Sequence, residues 1–156
     1  MRAHDAAVQA LLKFKAQGGE VVLLSNSPRP APEVAIQIKG MGVPESCWDV
    51  IATSGDAARD AMFRGLVGNQ VWFIGVDETL PFFEPPADMD APETITRVDL
   101  DKATGIVCTG PFNVHDDPVA LRDEFELAIE KGLPFLCANP DIVVDRGDRR
   151  EWCAGA

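Results

Sequence analysis

Ser25, Asn26 and Ser27 close the apolar run VVLL at residues 21–24, and Arg29 and Pro30 follow at once. Hydroxyls, an amide and a cation at the end of a buried strand can seat a phosphate. In parallel sheets, ligands collect beyond the carboxyl ends of the strands. A helix opening near Pro30 would aim free N–H groups and its positive end at the same place. Ser25 Oγ and Asn26 would donate, and Arg29 would add charge. The same residues would equally make a plain strand-to-helix turn with an N-cap. Asn139 and Asp141, separated by Pro140, follow a second apolar strand in a similar way. They could reach and orient a substrate, or form only an Asx-Pro turn.

Phosphoryl transfer without a P-loop calls for an Asp nucleophile, a second Asp and a magnesium ion. That chemistry needs Asp-x-Asp at the end of a buried strand. Asp99 and Asp101 have the spacing, but residues 93–97 before them do not read as such a strand. Asp77 lacks both a second Asp and a following Gly. All three read as solvated surface carboxylates. No Gly-rich P-loop, G-x-S-x-G elbow or G-x-G-x-x-G occurs. Cys47, Cys108, Cys137 and Cys153 are scattered without C-x-x-C, and His4 and His115 are isolated, so no zinc site is expected. Cys108 and Cys137 sit in apolar runs and read as reduced core residues.

A net charge of −11 over 156 residues, with no basic run, repels a nucleic-acid backbone, so no nucleic-acid partner is expected. No signal peptide or membrane-length apolar run is visible, so no membrane partner is expected and a cytoplasmic protein is the default expectation.

These residues need elements to hold them. Residues 6–17 carry Ala7, Val8, Leu11, Leu12 and Phe14 at helical spacing, with Gly18-Gly19 behind. Residues 21–24 read as a strand buried on both faces of a parallel sheet. Pro30 or Pro32 opens a helix with Val34, Ile38 and Met41 on its buried side. Residues 50–53 form a strand, and Ser54-Gly55-Asp56 cap a helix to about Arg64. The first third therefore reads α-β-α-β-α. Beyond it come strands at 71–74, 106–108 and 134–138, and a loop at 81–96. A helix starting behind Asp117-Pro118 ends at Gly132, and a hairpin turns around Arg146-Gly147-Asp148. The boundary between two lobes falls at 65–69.

The stretch KAQGGEVVLLSNSPRPAPEVAIQIKGMGVPESCWDVIATSGD resembles the second motif region of the haloacid dehalogenase-like hydrolases, subfamily IIA. IVCTGPF and GLPFLCANPDIVVDRGDRREWCAGA resemble that subfamily's cap. The resemblance implies an α/β fold: a partial Rossmann-like parallel sheet core at 1–65, holding the second and third core strands, and a C2-type α/β cap at 66–156 without its last helix. It implies magnesium-dependent hydrolysis of a small phosphorylated molecule through an aspartyl-phosphate. Carried over residue by residue, Ser25 matches the family's phosphate-binding Ser/Thr and Asn26 the Asn beside it. Asn139 and Asp141 match the cap turn facing the active site.

The chain departs from the family at both ends. The Asp-x-Asp-Gly motif would precede the first helix, and the third-motif Lys and fourth-motif acids would follow the cap. The expectation is an internal fragment without its nucleophile, metal ligands or activity. The alternative is a non-catalytic module that binds phosphate or a phospho-ligand. Without the neighbouring first strand, residues 21–24 become an apolar edge, so self-association through that edge is expected.

Overall fold

The computed structural model describes residues 2–113, 115 and 117–156. Two parallel sheets and one hairpin are built from α1 (Asp5–Ala16), β1 (Val22–Ser25), α2 (Ala31–Gly40), β2 (Val50–Thr53), α3 (Ser54–Phe63), β3 (Gln70–Ile74), β4 (Thr96–Arg97), β5 (Gly105–Cys108), α4 (Arg122–Glu130), β6 (Phe135–Cys137), β7 (Val143–Arg146) and β8 (Arg149–Trp152). Strands β1 and β2 pair in parallel, Val22 opposite Val50 and Ser25 opposite Thr53. The second sheet runs β4-β3-β5-β6, all parallel. Strands β7 and β8 form an antiparallel hairpin turning at Gly147, whose φ of 69° suits glycine. The fold is α/β, as the alternation of apolar runs and amphipathic segments predicts.

The four-stranded sheet is covered on both faces, and its residues divide by the two-residue period of a strand. Val71 and Val107 join Ala58, Met62 and Phe63 of α3 in one cluster. Ile74, Ile106 and Cys108 join Ala128 of α4 in the other, with Trp72 and Phe125 packed against it. Every residue of β5 is buried, the mark of a strand sandwiched between two layers. Burying side chains such as Met62, Ile74 and Ile106 contributes about 1.5–3 kcal/mol each.

The two-stranded sheet is different. Residues 21–24 are expected to be buried on both faces, but Val22 is 61% and Leu24 86% exposed, as is Val50 at 53%. Directly paired residues share a sheet face, so Val22, Leu24 and Val50 form one open apolar row. The reason is packing: among the described residues no layer covers this row, and β1 also pairs on one edge only. The apolar run specifies a strand, but covering it requires neighbours.

Smaller differences concern punctuation. The expected loop at 81–96 begins inside a 3-10 turn, Asp77–Phe83, and ends in the short edge strand β4. The cap of α3 lies one residue earlier than expected. The Thr53 hydroxyl accepts from the Asp56 N–H (2.9 Å) and donates to Asp56 Oδ2 (2.9 Å). Asp117 does cap, accepting from the Val119 N–H at 3.0 Å, but it opens a 3-10 turn that runs into α4. No helix of the described residues is long and apolar enough to cross a membrane.

Candidate functional site

Ser25 is the last residue of β1, so its side chain emerges where the strand stops pairing. The loop behind it is closed by its own hydroxyls. The Ser27 N–H donates to Ser25 Oγ (3.1 Å), and the Arg29 N–H donates to Ser27 Oγ (3.2 Å). Both oxygens keep their own protons to offer, because a hydroxyl that accepts can still donate. Ser25 and Ser27 are half-buried, while Asn26 and Arg29 are exposed.

The sequence offers a phosphate the free N–H groups of the helix behind Pro30. In the structure the first of them, at Ala31, already donates to Asp56 Oδ2 (2.8 Å). A carboxylate at a helix N-terminus satisfies an orphan donor and answers the positive end of the dipole. An anion here would therefore have the hydroxyls, Asn26 and Arg29 to draw on rather than the tip of α2.

The start of α3 holds this loop from below. Ser54 Oγ lies 3.1 Å from Ser27 O and 2.7 Å from Ala138 O, so one hydroxyl is shared between the loop and the end of β6. The Gly55 N–H donates to Ser27 O (3.0 Å). A Cβ at Gly55 would stand 2.2 Å from Pro28 O, so only glycine lets the backbones approach this closely.

The Asn139–Asp141 turn arrives from the other end of the chain. Asn26 Nδ2 donates to Asp141 Oδ2 at 2.6 Å, joining residues 115 apart in sequence. The Asp141 N–H in turn donates to Asn139 Oδ1 (2.9 Å), so Asn139 does form an Asx turn while also lining the cleft. The structure thus brings Ser25, Asn26, Ser27, Arg29, Asn139 and Asp141 to one place. All but Asp141 line a cleft of about 480 Å³, and Asp141 reaches that wall through Asn26. Asp77, Asp99 and Asp101 are exposed, and none of them lines this cleft.

Sequence reasoning missed several residues of the cleft. Thr109, only 5% exposed, lies 2.8 Å from Thr79, whose hydroxyl donates to Val76 O (2.8 Å). The Thr109 proton therefore goes to Thr79 Oγ1. Glu151 and Trp152 of β8 also line it, although their side chains leave opposite faces of the strand. The Thr109-Gly110-Pro111 punctuation after β5 was the one available signal for the threonine. Nothing local marks Glu151 or Trp152.

A crystal structure of a haloacid dehalogenase-like hydrolase from Brucella suis is similar, with 35% identity and a TM-score of 0.83 over 99% of this chain and 54% of that one. A p-nitrophenyl phosphatase from Archaeoglobus fulgidus matches at 19% identity and TM-score 0.61, over 95% of this chain and 53% of that one. A glycerol phosphate phosphatase from Mycobacterium tuberculosis, in complex with calcium, matches at 20% and 0.66, over 99% and 43%. No family profile and no curated protein matches. By fold and sequence together, the chain belongs to the haloacid dehalogenase-like hydrolases. It spans about half the length of the solved structures it matches.

The family resemblance implies magnesium. Among the described residues, no three His, Cys, Asp or Glu side chains converge where a metal ion could sit. The donor set of the described residues does not fit such an ion.

Proposed function

We propose that this chain supplies the phosphate seat and the facing cap turn of a phosphomonoester hydrolase, and that these 156 residues alone bind a phosphorylated small molecule without cleaving it. The observation that carries this reading is the Asn26–Asp141 hydrogen bond, which ties the serine loop to the cap turn across one cleft. Ser25 and Ser27 would donate to phosphate oxygens, Arg29 would balance their charge, and Asn139 would meet the ester side. The Asp141 carboxylate is engaged by Asn26, and among the described residues no three His, Cys, Asp or Glu side chains gather to hold the metal that an aspartyl-phosphate route needs. Holding without hydrolysis, as in a binding module, is what this donor set favours.

Isothermal titration with inorganic phosphate tests the seat. Binding in the millimolar range is expected, and Ser25→Ala should weaken it about tenfold, roughly the 1.4 kcal/mol of one hydrogen bond. Incubation with p-nitrophenyl phosphate and magnesium tests the chemistry. Turnover above the buffer rate that disappears in Asp99→Asn or Asp101→Asn would overturn the non-cleaving reading.

Two further parts of the proposal rest on the surface and the thiols. The open row Val22, Leu24 and Val50 beside the unpaired edge of β1 supports self-association through that edge. All four cysteines are free, which suits a reducing, cytoplasmic compartment.

A further inference from the structure

The segments that follow β3 and β5 give the cleft Val76, Thr79, Thr109, Gly110 and Pro111, and only the threonines among these have polar side chains. Their two hydroxyls form a chain whose direction a backbone carbonyl fixes. A carbonyl oxygen only accepts, so the 2.8 Å bond from Thr79 Oγ1 to Val76 O uses the single Thr79 proton. The 2.8 Å bond between the two threonines is then donated by Thr109. Both hydroxyl protons are committed within the chain. Thr109 Oγ1 accepts no hydrogen bond among the described residues, so its acceptor sites remain open. The side chains of this wall can take a proton donor from a ligand and have none to give.

The Thr109 oxygen is held in place. Thr109 is buried, and its N–H donates to Ile74 O at 3.0 Å. Gly75 leaves the room it occupies, since a Cβ there would stand 2.3 Å from Thr109 Oγ1. The wall is also tied to the serine loop. The Ala138 N–H donates to Cys108 O at 2.9 Å, and Ser54 Oγ reaches both Ala138 O and Ser27 O. Ser25 and Thr109 thus line one cleft of about 480 Å³, a size at which a small molecule can touch both.

We infer that Thr109, oriented by Thr79, determines specificity: it accepts a hydrogen bond from a hydroxyl or amine on the tail of the phosphorylated ligand and disfavours tails that can only accept. This rests on the phosphate seat proposed above. It adds a reader for the other end of the ligand, and the basis of discrimination is the direction of a hydrogen bond rather than charge. A tail with lone pairs alone would face Thr109 acceptor to acceptor, and a buried acceptor left without a donor costs free energy that a paired one does not.

The test is calorimetric titration of the full chain with two isomeric phosphomonoesters of equal charge, 3-hydroxypropyl phosphate and 2-methoxyethyl phosphate. Inorganic phosphate, which has no tail, reports on the seat alone. Wild-type protein should bind the hydroxypropyl ester about fivefold more tightly, the size of one neutral hydrogen bond. Thr109→Val removes the acceptor and should bring the ratio to about one by weakening the hydroxypropyl ester. Thr79→Val keeps the acceptor but takes away the recipient of the Thr109 proton, which a ligand can then receive. It should tighten the methoxyethyl ester about threefold, a gain that a residue serving the fold alone would not produce. If either variant does not fold, the other decides. Equal wild-type affinities for the two esters overturn the inference while the seat stands. So does an unchanged ratio in Thr109→Val, or no gain for the methoxyethyl ester in Thr79→Val. Absence of any phosphate binding by wild-type protein removes the seat, and the inference falls with it.

Discussion

Replacing Gly55 by alanine sets two effects of opposite sign against each other. Gly55 lies in the first turn of α3, where its φ is not in the left-handed region, so alanine fits the backbone conformation. Helix propensity alone would favour alanine by about 1 kcal/mol. The new Cβ, however, would stand 2.2 Å from Pro28 O, 2.5 Å from Pro28 C and 3.0 Å from Arg29 N. These are backbone atoms and cannot rotate aside. Restoring an ordinary 3.4 Å contact moves the Pro28 carbonyl by 3.4 − 2.2 = 1.2 Å. That movement strains the 3.0 Å bond from Gly55 to Ser27 O and carries Ser27 and Arg29 out of register. Overpacking of this kind costs about 1–3 kcal/mol, which outweighs the propensity gain. Urea unfolding should show a net loss, and phosphate titration should show affinity falling about tenfold or more. An alanine variant as stable as wild type, with unaltered phosphate binding, would show that the two backbones do not meet as described.

Three other outcomes follow from particular contacts. The Asp49 carboxyl is held below its ordinary value of 3.8, first by the hydrogen bond from Lys15 and then by the Val21 N–H. A depressed folded pKa contributes stability above about pH 3.8 that is lost as pH falls through the folded value. Asp49→Asn should therefore flatten the acid limb of the urea-midpoint curve, and parallel curves for the two proteins would refute the linkage. Burial, and then the neighbouring Cys137, push the Cys108 thiol up to about 12. At pH 8 it should react negligibly with a disulfide reagent, and loss of a fast-reacting thiol in Cys108→Ser would contradict this. Leu24 is 86% exposed beside the open β1 edge, so Leu24→Lys should reduce self-association in sedimentation velocity. Wild-type protein that stays monomeric at high concentration would remove the edge from consideration.

The elements themselves were legible in the sequence because their signals are local. Apolar runs at 50–53, 71–74 and 106–108 became strands, Gly147 turned the hairpin, and Asp117 capped where its spacing to Pro118 said it would. The serine loop and the Asn139–Asp141 turn could each be picked out, but their meeting could not. The 2.6 Å bond between Asn26 and Asp141 joins residues 115 apart, and no periodicity encodes that distance. Nor did the run at 21–24 reveal its exposed side, since an apolar strand reads the same whether or not a layer covers it. Gly55 looked like part of a cap and proved to be the place where two backbones touch. Glu151 and Trp152 looked like ordinary hairpin residues and proved to line the cleft. In each case the deciding quantity is the distance to a segment far along the chain, and only packing sets that distance. The sequence by itself determined which residues are able to donate, accept or fill space; the tertiary structure decided which of them do so together.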